Sequence, residues 1–194
     1  MVVTNNKKIA EKAQLLRNHA FTKTRFLHEE IGFNYRMTNV QAAIGLAQLE
    51  NINKFVKMRI NNAKTYNKLL KNVEGITLPP CKEWAKNVYW MYGILLNEKF
   101  GITKDELRQK LLERGIDTRS FFTPLHKQPV FKKKNKRFNN LPDIRGNYPV
   151  SDRLGKWGLY LPSASSLTKE EISYIAGAIK DIKEKADKTK QYGQ

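Results

Sequence analysis

The sequence predicts a mixed α/β fold. Runs rich in β-branched and aromatic residues alternate with segments whose apolar residues recur at helical spacing. Three helix starts carry a capping-box pattern: Thr38-Asn39-Val40-Gln41, Thr103-Lys104-Asp105-Glu106 and Thr168-Lys169-Glu170-Glu171. Glycines stand where the first two of those helices should stop, at Gly75 and Gly115.

In chain order, Met1–Thr4 is a short β-branched run and reads as a strand. Asn5 and Asn6 are good caps for a helix whose stripe is Ile9, Ala13 and Leu16, ending near Arg17. Asn18–Phe33 has no clean period and reads as a loop. A long helix is expected from Thr38 to about Val73, with Val40, Ile44, Ala47, Phe55, Ala63, Tyr66 and Leu70 on helical spacing and a bend near Asn51. At 1.5 Å per residue that is roughly 50 Å, long enough to link two parts of a structure. Pro79-Pro80 ends a short strand, and Asn87–Leu96 reads as a buried one. Leu107, Leu111 and Leu112 form the stripe of the next helix. Ile116–Phe122 reads as a strand and Thr123–Asn147 as a proline- and lysine-rich loop. Pro149–Trp157 is a short helix, Leu159–Leu161 a brief strand. Ile172, Ile175, Ala176, Ile179 and Ile182 line a last helix that should fray from Lys183. Residues 1–50 do not join this unit naturally, so the expected division is 1–50 and 51–194.

The 194 residues are 40% hydrophobic and 10% aromatic, enough to build a core. No apolar run approaches the ~20 residues of a membrane helix, and the N-terminus has no secretory pattern. With Cys81 the single cysteine, no disulfide framework or cysteine metal site is expected, and the location expected is cytoplasmic. Lys+Arg outnumber Asp+Glu by 36 to 18, a net charge of +18, which favours anionic partners. The lysines are spread along the chain. The densest run, Lys132–Arg137, reads as a solvated loop, with an anion-binding role as the alternative.

No nucleotide-binding glycine motif, P-loop or serine-nucleophile motif occurs. His19, His28 and His126 are too scattered for a metal triad. One stretch stands apart. Asn34, Tyr35 and Arg36 place three hydrogen-bonding side chains just before a helix start, where free N–H groups and an arginine favour an anion such as phosphate. The plainer reading is a loop feeding a helix.

The stretch Gly32-Phe33-Asn34-Tyr35-Arg36-Met37 through Gln41-Ala42-Ala43-Ile44-Gly45-Leu46-Ala47-Gln48-Leu49 resembles the G-x-N-Y-R-M-x-x-x-Q-A-A-I-G-x-x-Q-L motif of the DegT/StrS sugar aminotransferases. The resemblance extends to Met1-Val2-Val3-Thr4-Asn5-Asn6, Arg17-Asn18-His19, Arg59/Ala63/Tyr66 and Pro79-Pro80. It continues through Gly115–Arg119, Pro124-Leu125-His126, Tyr148–Ser151 and Leu159–Pro162. It implies the C-terminal small domain of a fold-type-I pyridoxal-phosphate transferase, preceded by a remnant of the large domain and a long linking helix. The implied reaction is amino transfer, usually from glutamate, to a keto group on a nucleotide-linked sugar, as in amino-sugar and polysaccharide biosynthesis.

By resemblance, Asn34 reaches the cofactor phosphate of the other subunit in a homodimer, and Arg36 assists it. Arg17 and His19 border the active site, and His126 stands near the sugar. Trp90 and Arg119 are candidates for the nucleotide or phosphate side. For Trp90 core packing is the leading role and the ligand side the alternative; for Arg119 a structural ion pair competes equally with a ligand contact. The family holds its cofactor as a Schiff base on a lysine just before the segment matching Met1. No lysine here has that context: Lys7 and Lys8 open a helix beyond the expected turn. No catalytic residue is therefore assigned, and pyridoxal phosphate is expected only in the complete protein. Rival readings are dehydratase relatives whose lysine is replaced, a docking half of a split protein, and a basic nucleic-acid-binding module.

Overall fold

The structure, a computed structural model, describes residues 2–24, 26–132 and 143–192, without the side chains of Lys132 and residues 190–192. The chain divides into two compact units, Met1–Ile52 and Asn53–Gln194. Most of the basic run expected at Lys132–Arg137 lies outside the described residues.

The first unit holds helices α1 (Lys7–Arg17) and α2 (Asn39–Glu50). Asn6 caps α1, its side chain accepting from the Lys8 and Ile9 amides at 3.0 and 3.3 Å. Thr38 opens α2 with the expected capping box, Thr38 Oγ1 accepting from Gln41 N and Gln41 Oε1 accepting from Thr38 N. Residues 2–4 form no strand. A strand needs a neighbour to satisfy its backbone, and none of the described residues of this unit supplies one. Ala20 is the only buried residue described in the unit, and neither helix buries any. Val40, Ile44, Leu46 and Leu49 of α2 are all exposed.

The single long helix expected from Thr38 is two. The α2 helix ends at Asn51, with φ −101° and ψ 1°, and α3 (Ile52–Leu70) follows. Asn51 turns its side-chain amide back onto the Ala47 carbonyl at 3.0 Å, the competing local bond that makes asparagine a poor helix-interior residue.

The second unit is a four-stranded antiparallel sheet in the order β1-β2-β4-β3, with helices packed on it. The strands are β1 (Ile76–Thr77), β2 (Tyr92–Leu96), β3 (Arg119–Ser120) and β4 (Gly158–Leu161). The helices are α3, α4 (Lys104–Leu112), the short α5 (Pro129–Lys132), α6 (Pro149–Trp157) and α7 (Lys169–Tyr192). On β2 the side-chain period of two sends Tyr92, Ile94 and Leu96 into the core. There they join Leu159 and Leu161 of β4, Ala63, Tyr66 and Leu70 of α3, Leu107 and Leu111 of α4, and Ile172, Ile175, Ile179 and Ile182 of α7. On the other face Gly93 lets the Phe121 ring close over the sheet; a Cβ there would meet Phe121 at 2.7 Å. Gly75 reverses the chain at φ +84°, a conformation that disfavours any side chain.

Several strands are shorter than the sequence suggests. Strand pairing within Asn87–Leu96 begins only at Tyr92, and within Ile116–Phe122 it is confined to Arg119–Ser120. Leu112 turns outward, because Leu107 and Leu111, four apart, already fill the stripe. The expected loop at Thr123–Asn147 contains a 3₁₀ turn at Leu125–Lys127 as well as α5. The tail does not fray at Lys183. The buried stripe continues through Ile182 and Ala186, and Lys183 is itself buried beside Asp187, its ion-pair partner.

The contrast in burial sets an expected exchange pattern. Amides of β2 and β4, flanked by fully buried side chains, should exchange slowest, and those of α1 and α2 orders of magnitude faster. Hydrogen exchange on the 194-residue chain checks this; equal protection of α2 and β2 in a monomer would contradict it.

Candidate functional site

In the first unit the structure brings Arg17, His19, Asn34 and Arg36 together. The chain leaving α1 turns through His19 (φ 58°) and Ala20 (φ 53°), two consecutive left-handed residues without glycine. That conformation is uncommon and tends to gather at functional segments. The reversal lets residues 33–36 run beside 16–19. Phe33 N donates to Leu16 O at 2.7 Å, His19 N to Phe33 O at 2.9 Å and Tyr35 N to Arg17 O at 2.9 Å. Asn18 and Asn34 face each other across an antiparallel bridge. Gly32 is obligatory at this crossing, because a Cβ there would lie 2.1 Å from Ala20 N. His28 Nδ1 donates to the His19 carbonyl at 2.7 Å and fixes the outer edge of the loop.

Arg36 Nη1 donates to Asn18 Oδ1 at 3.4 Å, so the guanidinium is steered by a neutral group and makes no ion pair among the described residues. Asn34 and Arg36 are both exposed, and α2 has no acidic residue in its first turn. Side-chain donors and the positive end of a helix therefore stand together without a nearby carboxylate on that helix, which suits a phosphate. Lys7 and Lys8 lie exposed at the start of α1, with Lys7 3.9 Å from Glu11.

In the second unit Trp90 and Arg119 line one open cavity of about 420 Å³ at the end of the sheet, together with Arg59, Asp117, Thr118 and Tyr160. Trp90 is 70% exposed, which overturns core packing as its role. Its place in the core is taken by Tyr89 and Tyr92 on either side. Arg119 makes no ion pair among the described residues. Arg59 was legible only as part of a motif, and the structure shows why. Arg59, Asn62 and Tyr66 lie on one face of α3 at spacings of three and four. They donate to the carbonyls of Ser163 (2.9 Å), Ala164 (3.1 Å) and Pro162 (3.0 Å), and Arg59 also to Trp90 O (2.9 Å). That zipper shapes the loop after β4 and one wall of the cavity. The Thr118 hydroxyl, closed off beside the cavity, has no hydrogen-bond partner among the described residues. A larger groove of about 620 Å³, between the Gly115–Asp117 turn and the start of α7, holds none of the sequence-predicted residues.

His126 is not part of that cavity. It sits in the 3₁₀ turn with Nε2 2.9 Å from Asp152 Oδ1 on α6 and its ring stacked on Tyr148 at 4.7 Å. A carboxylate accepting from Nε2–H leaves Nδ1 as the acceptor nitrogen. Lys127 Nζ reaches the same Asp152 oxygen at 2.6 Å. Neither Asp152 nor Lys127 was singled out by sequence, and Tyr148 entered only as part of a motif, since Asp152 reaches His126 across 26 residues. The Lys127 ammonium, with His126 second, holds the Asp152 carboxyl below its ordinary range. A depressed folded-state value stabilises the fold above the unfolded carboxylate value near 3.9, and that contribution is lost as pH falls below it through the folded value. Asp152→Asn should therefore lower the urea midpoint at pH 5 and cost progressively less as the pH drops below 4. An equal cost at both ends of that range would contradict the clamp.

Among the described residues, no cluster of three or more His, Cys, Asp or Glu could hold a metal ion, and no helix is long and apolar enough to cross a membrane.

The chain is similar to proteins of known class. It is 34% identical over 186 residues to the GDP-perosamine synthase of Escherichia coli O157:H7, covering 94% of this chain and 46% of that protein. It is 32% identical to the GDP-perosamine synthase of Caulobacter vibrioides, covering 94% and 47%. Among solved structures it is similar to Helicobacter pylori PseC, an aminotransferase involved in the biosynthesis of pseudoaminic acid. That likeness has 26% identity and a TM-score of 0.78, covering 94% of this chain and 48% of that one. The chain thus spans about half the length of the curated relatives it matches. The DegT/DnrJ/EryC1/StrS aminotransferase family matches residues 1–180, and the chain belongs to that family.

Proposed function

We propose that these 194 residues form the C-terminal part of a pyridoxal-phosphate-dependent aminotransferase acting on a nucleotide-linked keto-sugar, with glutamate as amino donor. In this reading residues 1–50 belong with the large cofactor-binding domain and 51–194 are the C-terminal small domain. The observation that carries it is the first unit. The exposed hydrogen-bond donors of Asn34 and Arg36 lead directly into α2, an apolar helix with no buried residue. So large an apolar surface is normally covered, and the rest of a large domain is the cover this reading supplies.

Asn34 and Arg36 fit the phosphate of the cofactor and would reach the site of the partner subunit in a homodimer. Arg17 and His19 hold that loop at the site border. His126, with its ring fixed by Asp152 and Tyr148, would present Nδ1 to a sugar hydroxyl. Trp90 and Arg119 belong to the nucleotide side. Pyridoxal phosphate, when bound, supplies the electron sink for moving an amino group between carbons. The lysine that tethers it is assigned to none of the lysines described here, since Lys7 and Lys8 lie out on α1. The 194-residue chain alone is thus expected to be inactive.

Two measurements test this. Borohydride reduction with added cofactor, followed by peptide mapping, should leave no stoichiometric pyridoxyl label on the chain; one fully labelled lysine would overturn the assignment. Co-expression with an N-terminal segment bearing the lysine turn should restore glutamate-dependent amination of a nucleotide-linked keto-sugar. A folded, cofactor-loaded complex without such transfer would sink the reading.

A further inference from the structure

The outer face of α3 is a row of lysines. Lys54, Lys57, Lys64 and Lys68, with Lys71 just past the helix end, recur at spacings of three, four and seven. Those spacings put them on one stripe about 25 Å long. All are exposed, and the stripe lies opposite the buried Ala63, Tyr66 and Leu70. None of these lysines makes a hydrogen bond or ion pair among the described residues. The helix contains no Asp or Glu to interleave with them. Lys64 and Lys68, four apart, repel each other, as do Lys54 and Lys57, and Lys68 and Lys71, three apart. An anionic counter-surface relieves that repulsion.

The loop beside the row adds an aromatic. Residues 80–89 are fastened to α3 at Asn67, where the Tyr89 hydroxyl meets the Asn67 side chain and the Cys81 thiol. Tyr92 Oη donates to the same Asn67, to Oδ1 at 2.7 Å. Asn67 adjoins Lys68 and stands one turn from Lys64 and Lys71, so the loop borders the row. Asn87 Nδ2 donates to Pro80 O at 3.3 Å and closes the loop. Ala85 N donates to Lys82 O at 3.0 Å, which puts Glu83 and Trp84 at the tip of a tight turn. Trp84 is 86% exposed, with the exposed Lys82 and Lys86 on either side. Near the far end of the row stand Glu74, Glu184 and Asp187, of which Glu74 pairs with Lys99 and Asp187 with Lys183. Glu83 and Glu184 do not balance the unpaired lysines, so the excess charge of the face is positive.

We infer that this face docks on an anionic lipid surface. The lysines supply the attraction, and Trp84 enters the headgroup layer, where an indole is favoured. Contact is with one surface of the bilayer and needs no spanning helix. Lysine ammoniums are compact, hydrated point charges on flexible stems, which suits a diffuse sheet of headgroups. Duplex DNA is read by arginine forks and by an element that enters a groove. The one arginine of α3, Arg59, is turned onto the Trp90 and Ser163 carbonyls instead. The inference is independent of the function proposed above.

The test is sedimentation of the 194-residue chain with two kinds of vesicle, phosphatidylcholine alone and phosphatidylcholine mixed with an equal part of phosphatidylglycerol. The chain should bind the mixed vesicles about tenfold or more tightly than the neutral ones, and lose that preference as salt rises. The double variant Lys64→Gln/Lys68→Gln should weaken binding to mixed vesicles about tenfold or more, at about fivefold per lysine. The double variant Lys110→Gln/Lys185→Gln removes the same charge from the groove between α4 and α7 and should leave binding nearly unchanged. Tryptophan emission should move to shorter wavelength on binding. Trp84→Phe should abolish that movement although Trp90 and Trp157 remain.

No sedimentation with the mixed vesicles, or equal sedimentation with both kinds, would overturn the inference. An equal loss in the two double variants would mean that net charge alone acts, and would sink α3 as the docking face. An emission change that survives Trp84→Phe would remove Trp84 from the contact. Duplex DNA held more tightly than the mixed vesicles at the same salt, and weakened alike by Lys64→Gln/Lys68→Gln, would overturn the lipid assignment in favour of nucleic acid.

Discussion

Replacing Tyr66 by alanine should cost the second unit about 3–5 kcal/mol, the range for deleting a large aromatic side chain from a core. Tyr66 is fully buried, its ring stacks on Tyr92 at 4.6 Å, and its hydroxyl donates to the Pro162 carbonyl. Burial, with the Glu171 charge second, also pushes its hydroxyl pKa well above the usual tyrosine value. Alanine would remove the stack and leave a void between α3 and β2. Tyr66→Phe keeps the ring and should cost only about 1–2 kcal/mol, because the Pro162 carbonyl loses its donor. The same loop carries the carbonyls of Ser163 and Ala164, so Tyr66→Ala should also loosen the cavity that holds Trp90 and Arg119. Urea unfolding of both variants, with Leu112→Ala as the exposed comparison, measures these effects. A loss below 1 kcal/mol for Tyr66→Ala would mean that the packing described for α3 is wrong.

In the assembled dimer of the function proposed above, Asn34→Ala should weaken cofactor binding by about ten- to a hundredfold. A hydrogen bond to a charged group is worth ~1.5–3 kcal/mol, and ~1.4 kcal/mol is tenfold. The side chain is exposed, while the loop is held by the backbone bonds of Phe33, Tyr35 and His19, so the fold should be unaffected. The sharper measurement mixes Asn34→Ala subunits with subunits lacking the cofactor-binding lysine. If Asn34 serves its neighbour, the mixed dimer places both defects in one composite site and leaves the other whole, so activity returns. A mixture no more active than either parent would assign the loop to shaping the start of α2.

The parts of the fold that were legible in sequence are those governed by neighbours a few residues apart. All three capping boxes form or retain their key bonds: Thr38 with Gln41, Thr103 with Glu106, and Thr168 with Glu171. The stripes of α4 and α7 are buried as spaced, Leu112 excepted. Where the reading failed, the deciding partner was distant or absent. Val2 to Thr4 has strand-forming residues but no strand beside it. Trp90 lies in an apolar run, but Tyr89 and Tyr92 occupy the core there. Lys183 lies in a charged tail, but the buried stripe of α7 runs past it.

The candidate site divides in the same way. Asn34 and Arg36 were legible because a donor-rich loop before a capped helix is a local pattern, and the resemblance that names the family rests on the same residues. By itself the sequence determined the α/β class, the helix starts, the family, and the loop at Asn34–Arg36. Only tertiary structure decided that Arg59, Trp90 and Arg119 share a cavity, that Asp152 and Tyr148 fix the His126 ring, and that α2 stands uncovered. Those facts join residues far apart in the chain. Helical and strand periodicity state which face a side chain takes, and packing alone states what it meets there.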